Sequence, residues 1–476
     1  MGFATPNSSN FQLMLIRLKP VFLLLGVIGI GVGVSLIQDL AITGRLSLLI
    51  FGVTVIVWTF TSLNVSYVAV CAALVLVLTG VMRQAQMFDA LGDEIIWLMI
   101  GAFILGEAIK QTGLAMRLTQ FIVSRVRTVE SLFWLMTVLV VPLSFLIPST
   151  SGRAAVTLPV FRSVAGELRN AKTTRALSLL IPTVILVSTI VSLVGAGSHV
   201  IANELLIQMT QQHISFSQWA LYGLPFGIAA SLLSCWVIIH LFLDRRQRQQ
   251  PIYLAPINAN QSSWTRSEWV ASAIALGMLL LWLTENLHGI KLATVAIVGS
   301  ILLAMPKFGV ITWKVALNSV SWHLIMFVSA ALVLGKSLIE SGAAQWILDH
   351  TFRLSGLDSH GSQGIILVIL TLITLTSHLY MTSHAARAVA LVPALISLAT
   401  TLHLNPVAVM FIGTLGMDYC LTMPVSSKAL LVYQDDNSRT FSPQDLFCLS
   451  LVMLPLHLGL VILFYHTYWH WVGLSF

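Results

Sequence analysis

The chain has 476 residues, of which 57% are hydrophobic and only 9% are charged. Soluble domains carry about 25% charged residues, so this composition excludes a soluble enzyme or binding module and indicates an integral membrane protein. The formal net charge of +7 lies in short loops, where it favours an orientation signal over a nucleic-acid partner.

Apolar runs long enough to cross a bilayer as helices recur along the chain, and no segment alternates with the period of a barrel strand. The first run is not ended by a small-residue cleavage pattern, so we expect a retained helix rather than a signal peptide. In chain order we predict a cytoplasmic N-terminus at 1–19, scaffold helices 1–4 within 20–113, a first transport-domain half at 114–243, a cytoplasmic linker at 244–266, scaffold helices 7–9 within 267–341, and a second transport-domain half at 343–472. The first transport-domain half contains an interfacial helix, a re-entrant hairpin at 131–162, a broken helix at 177–206 and a helix at 217–243. The second contains an interfacial helix, a re-entrant hairpin at 363–400, a broken helix at 405–431 and a last helix at 443–472.

Two helix starts carry local signals. Thr265 is followed three residues later by Glu268, which is the pattern of a capping box. Ser442-Pro443 predicts an N-cap followed by proline in the first helical position.

Two polar segments interrupt apolar arms that are too short to cross. Residues 149–153 read Ser-Thr-Ser-Gly-Arg, and residues 383–387 read Ser-His-Ala-Ala-Arg. Each arm of the first hairpin is about 15 residues or shorter, whereas a crossing needs roughly 20, so a re-entrant hairpin fits better than two spans. We call 149–153 the first tip and 383–387 the second tip.

The two halves repeat with an offset of about 230 residues. Arg153 and Pro159 correspond to Arg387 and Pro393, and the predicted helix breaks at 195–199 and 423–428 also correspond. Five predicted crossings lie between the hairpins, so the hairpins enter from opposite faces. We therefore predict an all-α polytopic membrane protein with about 11 transmembrane helices plus two re-entrant hairpins in an inverted repeat.

This pattern resembles the divalent-anion/sodium symporter family of citrate, dicarboxylate and sulfate carriers, over about residues 90 to 435. In that family each hairpin carries a Ser-Asn-Thr tip followed by Leu-Pro. Here Ser149-Thr150-Ser151 with Leu158-Pro159, and Ser383-His384-Ala385 with Val392-Pro393, take those places. The resemblance implies anion binding and sodium coordination at the tips, a homodimer and an elevator-type movement.

Exposed N–H groups at half-helix N-termini and the tip hydroxyls can bind carboxylate or sulfate oxygens without a metal or covalent chemistry. For an isolated tip, the alternative is that these groups only cap helix ends. The candidate substrate-binding residues are Ser149, Thr150, Ser151, Arg153, Ser383, His384, Arg387, Ser427 and Lys428. The candidate ion-binding residues are Ser149, Thr150, Gly195, Gly197, Ser198, Ser383 and Ser426.

Arg153 and Arg387 are the strongest single signals. A charge at bilayer depth costs at least about 2.5–3.5 kcal/mol, so it usually faces a partner or a watery cavity. They either contact substrate or ions, or bond backbone carbonyls or an acid of their own repeat, with Glu107 as a conceivable partner. Since family members have small residues here, we hypothesise that Arg153, or Arg387 with Lys428, replaces at least one sodium ion.

Several further polar residues lie in or near the predicted membrane segments. Asp418 lies near the second helix break and could neutralise Lys428 or Arg387. Glu107 and Lys336 correspond between the halves and could pair with opposite charges. His199 is expected as a satisfied core group or part of a cationic cluster, and His466 and His470 are expected as packing residues. The four cysteines lack metal or disulfide spacing, so we expect no metal site and no cofactor, with Na⁺ as a conceivable coupling ion.

We predict a secondary active transporter of small di- or trivalent anions, with organic acids favoured, which is sodium-coupled or an anion exchanger. No nucleophile–base pair, carboxylate cluster or metal-ligand set indicates an enzyme. An inorganic-anion carrier such as a sulfate carrier, a passive anion channel, and a sodium/proton or arsenite-type transporter remain alternatives. The expected location is the plasma membrane, as a multi-pass protein with the N-terminus inside.

Overall fold

The computed structural model describes residues 8–61, 63–113, 117, 121–122, 124–147, 149–168, 170–252, 263–344, 346, 363–434 and 439–476, with side chains from residue 21 onwards except that of residue 22. Within these ranges the regular structure is helical, and an isolated bridge joins Thr128 to Pro251. The predicted all-α class is therefore confirmed.

The helices of the first half are α1 (Ser8–Ser35), α2 (Ile42–Phe60), α3 (Val65–Leu78), α4 (Gln84–Asp89), α5 (Glu94–Gln111), α6 (Val129–Val140), α7 (Leu143–Leu146), α8 (Thr150–Glu167), α9 (Ala171–Val187), α10 (Gly197–Thr210), α11 (Phe216–Phe242) and α12 (Arg245–Arg248). Those of the second half are α13 (Arg266–Leu283), α14 (Glu285–His288), α15 (Leu292–Leu303), α16 (Trp313–Ser319), α17 (Trp322–Glu340), α18 (Gln363–Thr376), α19 (His384–Thr401), α20 (Pro406–Met417), α21 (Lys428–Tyr433) and α22 (Pro443–Phe464), which a π-helical turn extends to Trp469.

Hydrophobic length makes this a membrane fold. Among the described residues, eight helices are long and apolar enough to cross a bilayer, and five shorter apolar helices accompany them. Both predicted helix starts are confirmed: Thr265 and Glu268 form a capping box, and Ser442 caps α22 with Pro443 in its first turn. In the predicted interfacial helix at 114–128, residues 114–116, 118–120 and 123 are outside the described residues, as is most of its counterpart at 343–354.

One compact unit consists of Met1–Asp93 and His323–Leu357. In this unit α2 lies against α17, where the rings of Trp58 and Phe327 are 5.4 Å apart. A small apolar cluster around Leu40 includes Leu338 from the end of α17.

The other compact unit consists of Glu94–Trp322 and Asp358–Phe476. It includes α5 and α13–α16. Within this unit Gly101 of α5 lies so close to Ala296 of α15 that a Cβ on the glycine would be 2.6 Å from the alanine Cβ. The predicted division into scaffold and transport domain stays a prediction.

The same unit contains all the candidate site residues. Its centre is α9, almost entirely buried, followed by two 3-10 turns (Thr189–Val191 and Leu193–Gly195) and then α10. Similarly, α20 ends at Met417, a short 3-10 turn covers Pro424–Ser426, and α21 follows. Here α10 packs on α19 and α21 packs on α8, so each broken helix contacts a helix from the other half of the chain.

Candidate functional site

The two tips start their helices in the same way. Ser149 caps α8, and its hydroxyl accepts the Gly152 N–H at 3.3 Å. Ser383 caps α19, and its hydroxyl accepts the Ala386 N–H at 3.2 Å. Each hydroxyl thus serves an otherwise unpaired N–H of the first helical turn.

The tips remain half-buried rather than closed. Ser149, Thr150 and Ser151 in the first tip are partly accessible, as are Ser383 and His384 in the second. The first turns of α8, α10 and α19 contain no acidic residue. No carboxylate of the same helix therefore neutralises these positive dipole ends. The Asp418 carboxylate does contact the first turns of α10 and α19, so of the three helix starts that of α8 most favours an anionic ligand.

Arg153 is completely buried and belongs to the first half's internal framework. Its Nη2 donates to the Gly195 carbonyl at 2.6 Å, and its Nη1 donates to the hydroxyls of Ser144 and Ser188. The guanidinium thus joins the hairpin to Gly195, the last residue of the second 3-10 turn, two residues before α10 begins.

Arg387 does the equivalent in the second half, where it is also completely buried. It donates to the Met417 carbonyl, to Cys420 Sγ at 2.9 Å and to the Ser383 carbonyl at 3.5 Å. Met417 is the last residue of α20, so the guanidinium caps a helix C-terminus whose carbonyls lack intrahelical donors.

The sequence left open whether the arginines contact substrate or ions, or instead bond groups of their own repeat. In this structure each guanidinium bonds a backbone carbonyl of its own repeat. In this conformation neither guanidinium is exposed towards the tips. The suggested acid partner Glu107 is wrong, because Glu107 pairs instead with Lys110 at 3.2 Å and accepts from Gln111 at 2.9 Å. The expectation that Glu107 and Lys336 find opposite charges is confirmed, since Lys336 lies 3.7 Å from Glu340.

Asp418 is the centre of a buried polar cluster. Its carboxylate accepts the Ser198 hydroxyl at 2.9 Å, lies 2.6 Å from His199 Nε2, and is 2.9 Å from His384 Nδ1. Ser198 and His199 begin α10, whereas His384 begins α19 in the second tip. The carboxylate thus joins the first broken helix to the second tip. We call Ser198, His199, His384 and Asp418 the Asp418 cluster.

The suggestion that Asp418 neutralises Lys428 or Arg387 is wrong, because its partners are Ser198 and the two histidines. Lys428 is exposed at the first position of α21, and no hydrogen bond or ion pair of its ammonium is found among the described residues. Long-range packing made this outcome unpredictable from the sequence, because Ser198 and Asp418 are 220 positions apart in the chain.

The remaining candidates lie around the two breaks. Gly197 starts α10, and Ser427 caps α21 by accepting the Ala429 N–H at 3.2 Å. Ser426 is buried, and its Oγ has no hydrogen-bond partner among the described residues.

Sequence reasoning missed the neutral partners of the arginines: Ser144, Ser188 and Cys420. These residues carry no distinguishing motif, because serine and cysteine also occur as small packing residues in apolar helices. Asp418, in contrast, could be noticed because carboxylates are rare at membrane depth.

Comparison with known proteins defines the family. Residues 17–475 match the model of the sodium:sulfate symporter transmembrane region. The chain belongs to the sodium:sulfate symporter family. It is accordingly a multi-pass membrane transporter of small anions and not an enzyme, as the sequence predicted.

Two curated relatives have low sequence identity to this family member. A protein of Cupriavidus necator described as a membrane protein is 25% identical over 393 residues, covering 79% of this chain and 74% of that protein. The sodium-dependent dicarboxylate transporter SdcS of Staphylococcus aureus is 22% identical over 401 residues, covering 78% of this chain and 76% of the relative.

The fold is also similar to that of a solved transporter. The YdaH transporter of Alcanivorax borkumensis, whose crystal structure is described as having an unusual topology, superposes with a TM-score of 0.56 at 16% identity. The match covers 85% of this chain and 88% of that chain. At this identity the likeness concerns the fold.

Proposed function

We propose that this chain is a secondary active transporter of small di- or trivalent anions, with organic dicarboxylates favoured. The observation that carries the proposal is the pair of serine-capped, half-buried tips, each opening an 18-residue helix with no acid in its first turn. Hydroxyl and N–H donors at such helix ends can bind several carboxylate oxygens at once.

The proposed substrate ligands are Ser149, Thr150, Ser151, Ser383, His384, Ser427 and Lys428, all of which are at least partly accessible except the buried Ser427. The exposed ammonium of Lys428 supplies a mobile positive charge, whereas the buried guanidinium groups of Arg153 and Arg387 act as fixed braces behind the tips. The printed name of SdcS, a dicarboxylate transporter, supports organic dianions as the substrate class.

Two of the candidate sodium ligands already have partners within the protein. Of the candidate ion ligands, the Gly195 carbonyl accepts from Arg153, and the Ser198 hydroxyl donates to Asp418. A cation beside either guanidinium would also face like-charge repulsion in a poorly screened interior. We propose that the two guanidinium groups take the place of sodium charges, so that transport does not require sodium.

The architecture we propose is an inverted repeat with about eleven crossings and two re-entrant hairpins, working as an elevator in a homodimer. Support comes from the repeated order of elements: a serine-capped helix with an internal proline, Pro159 in α8 and Pro393 in α19, precedes a broken helix in each half. Positive loop charge supports a plasma-membrane protein with a cytoplasmic N-terminus.

A ligand-stabilisation screen tests the substrate class. Purified protein is heated with dicarboxylates, citrate, tartrate, sulfate or sulfonates, in sodium and in choline buffers. We expect at least one organic di- or trivalent anion to raise the Tm equally in both buffers, because a ligand that binds only the native state stabilises it. Stabilisation by sulfate alone would replace the organic substrate class, and stabilisation that requires sodium would contradict the proposed role of the guanidinium groups.

A further inference from the structure

His384 is the member of the Asp418 cluster that the proposed anion site uses, whereas Asp418 and His199 are buried titratable groups with no task in that site. Asp418 is 2% exposed and His199 is completely buried. The cluster joins α10, α19 and the segment that follows α20, which are the elements on which the tips depend.

His199 and Asp418 are close enough to hold a proton together. His199 Nδ1 lies 3.2 Å from the Ser192 carbonyl, which can accept a hydrogen from Nδ1. Nε2 lies 2.6 Å from Asp418 Oδ2, although in this conformation Nε2 makes no hydrogen bond of acceptable angle. At this separation in a poorly screened interior, a proton on the ring is strongly attracted by the carboxylate.

His384 provides the connection to the aqueous side. Its side chain is 19% exposed, compared with 0% for His199 and 2% for Asp418. Its Nδ1 faces Asp418 Oδ1 at 2.9 Å, and its Nε2 lies 3.6 Å from Cys420 Sγ. Because His384 is also in the second tip, a proton held in the cluster is next to the proposed anion site.

The surrounding charges are fixed or neutral. Arg387 approaches from α19 and is held by the Met417 carbonyl and Cys420, and Arg153 is held by the Gly195 carbonyl. His378 faces the same region and is held between Leu375 O and Thr422 Oγ1, each at 2.7 Å. A symporter releases its coupling cation together with the substrate on the other side of the membrane. A guanidinium is part of the protein and cannot be released, so the coupling cation must bind to another group.

We propose that His199, Asp418 and His384 bind the proton that drives anion uptake. This inference rests on the proposed function as an anion transporter. A proton entering through His384 adds positive charge beside the second tip and strengthens anion binding there. By linkage, the bound anion strengthens proton binding to the same extent. The proton and the anion then cross together and are released together.

The test uses the full chain in proteoliposomes without sodium, with membrane voltage clamped. Counterflow of labelled succinate, citrate or sulfate measures transport alone, whereas accumulation driven by an inside-alkaline pH gradient measures coupling. We expect counterflow and gradient-driven accumulation for the same anion. Counterflow without gradient-driven accumulation would overturn the proton site and leave the anion transporter intact. Absence of counterflow with every anion would overturn the transporter proposal and the proton coupling with it.

Variants assign the coupling to the cluster. In Asp418→Asn and His199→Gln we expect the ratio of accumulation with and without the gradient to fall to unity. The exposed Asp39→Asn, which makes the same chemical change elsewhere, should keep the wild-type ratio. Since substrate protonation is identical for all variants, it cannot produce this difference. An unchanged ratio in Asp418→Asn would overturn the assignment.

A second readout does not depend on transport. The infrared difference spectrum of the purified protein between acidic and neutral pH should contain carboxyl or imidazolium bands that are missing in Asp418→Asn and retained in Asp39→Asn. Identical difference spectra for wild type and Asp418→Asn would show that the cluster does not titrate and would overturn the proposal.

Discussion

Replacing Arg387 by methionine should destabilise the protein, and the protein that remains folded should still bind the anion. Methionine keeps an unbranched apolar stem but removes the donors to the Met417 and Ser383 carbonyls and to Cys420. An orphaned buried acceptor costs about 1–3 kcal/mol, and relief from burying the charge offsets only part of this. Thermal unfolding in detergent should therefore show a clearly lowered Tm.

Arg162→Met is the matched control for this experiment. Arg162 is exposed near the end of α8, where no contact of its guanidinium is found among the described residues, so its loss should leave the Tm nearly unchanged. The decisive comparison is the anion-dependent shift in Tm. If Arg387→Met unfolds at the wild-type temperature but its Tm no longer rises with the anion, Arg387 is a substrate ligand and its proposed structural role is wrong.

Replacing Lys428 by alanine should have the opposite pattern: normal stability and weak anion binding. The ammonium is exposed at the start of α21 and has no partner among the described residues, so its removal leaves no buried group without a hydrogen bond. A hydrogen bond to a charged group contributes about 1.5–3 kcal/mol, which corresponds to roughly 10- to 100-fold in Kd. Isothermal titration with the anion found in the screen measures this change.

Lys314→Ala provides the control, because Lys314 is an exposed lysine of α16 outside the proposed site. Lys428→Arg should recover part of the affinity, since it restores the charge with different geometry. Equal affinities for Lys428→Ala and Lys314→Ala would remove Lys428 from the proposed ligands.

The membrane class and the helix starts could be predicted because they depend on local physics. Apolar length determines which segments can cross, and serine caps such as Ser149, Ser383 and Ser442 satisfy N–H groups within three residues. These signals are in the adjacent sequence, so no knowledge of the packed structure is needed to read them.

The exact helix breaks were harder to predict. The sequence indicated a break at Gly195, but regular helix already ends at Val187, before the 3-10 turn Thr189–Val191, in which Ile190 and Val191 are apolar. Hydropathy cannot distinguish these residues from the residues of a continuous apolar helix. The Arg153 guanidinium, which bonds both Ser188 and the Gly195 carbonyl, fixes the non-helical course between them.

The partners of Asp418 could not be predicted for a related reason. Charge alone suggested Lys428 or Arg387. The packing of α10 on α19 instead brings Ser198, His199 and His384 to the carboxylate. Arg387 is already bonded to the carbonyl at the C-terminus of α20, so its charge is not the one that pairs with Asp418.

Counterflow in sodium-free proteoliposomes tests most directly whether this chain is an anion carrier that works without sodium. We expect vesicles preloaded with the unlabelled anion to accelerate uptake of the labelled anion, equally in choline and in sodium. Uptake without this trans-stimulation would indicate a channel. Trans-stimulated uptake that collapses when choline replaces sodium would contradict the replacement of sodium by Arg153 and Arg387.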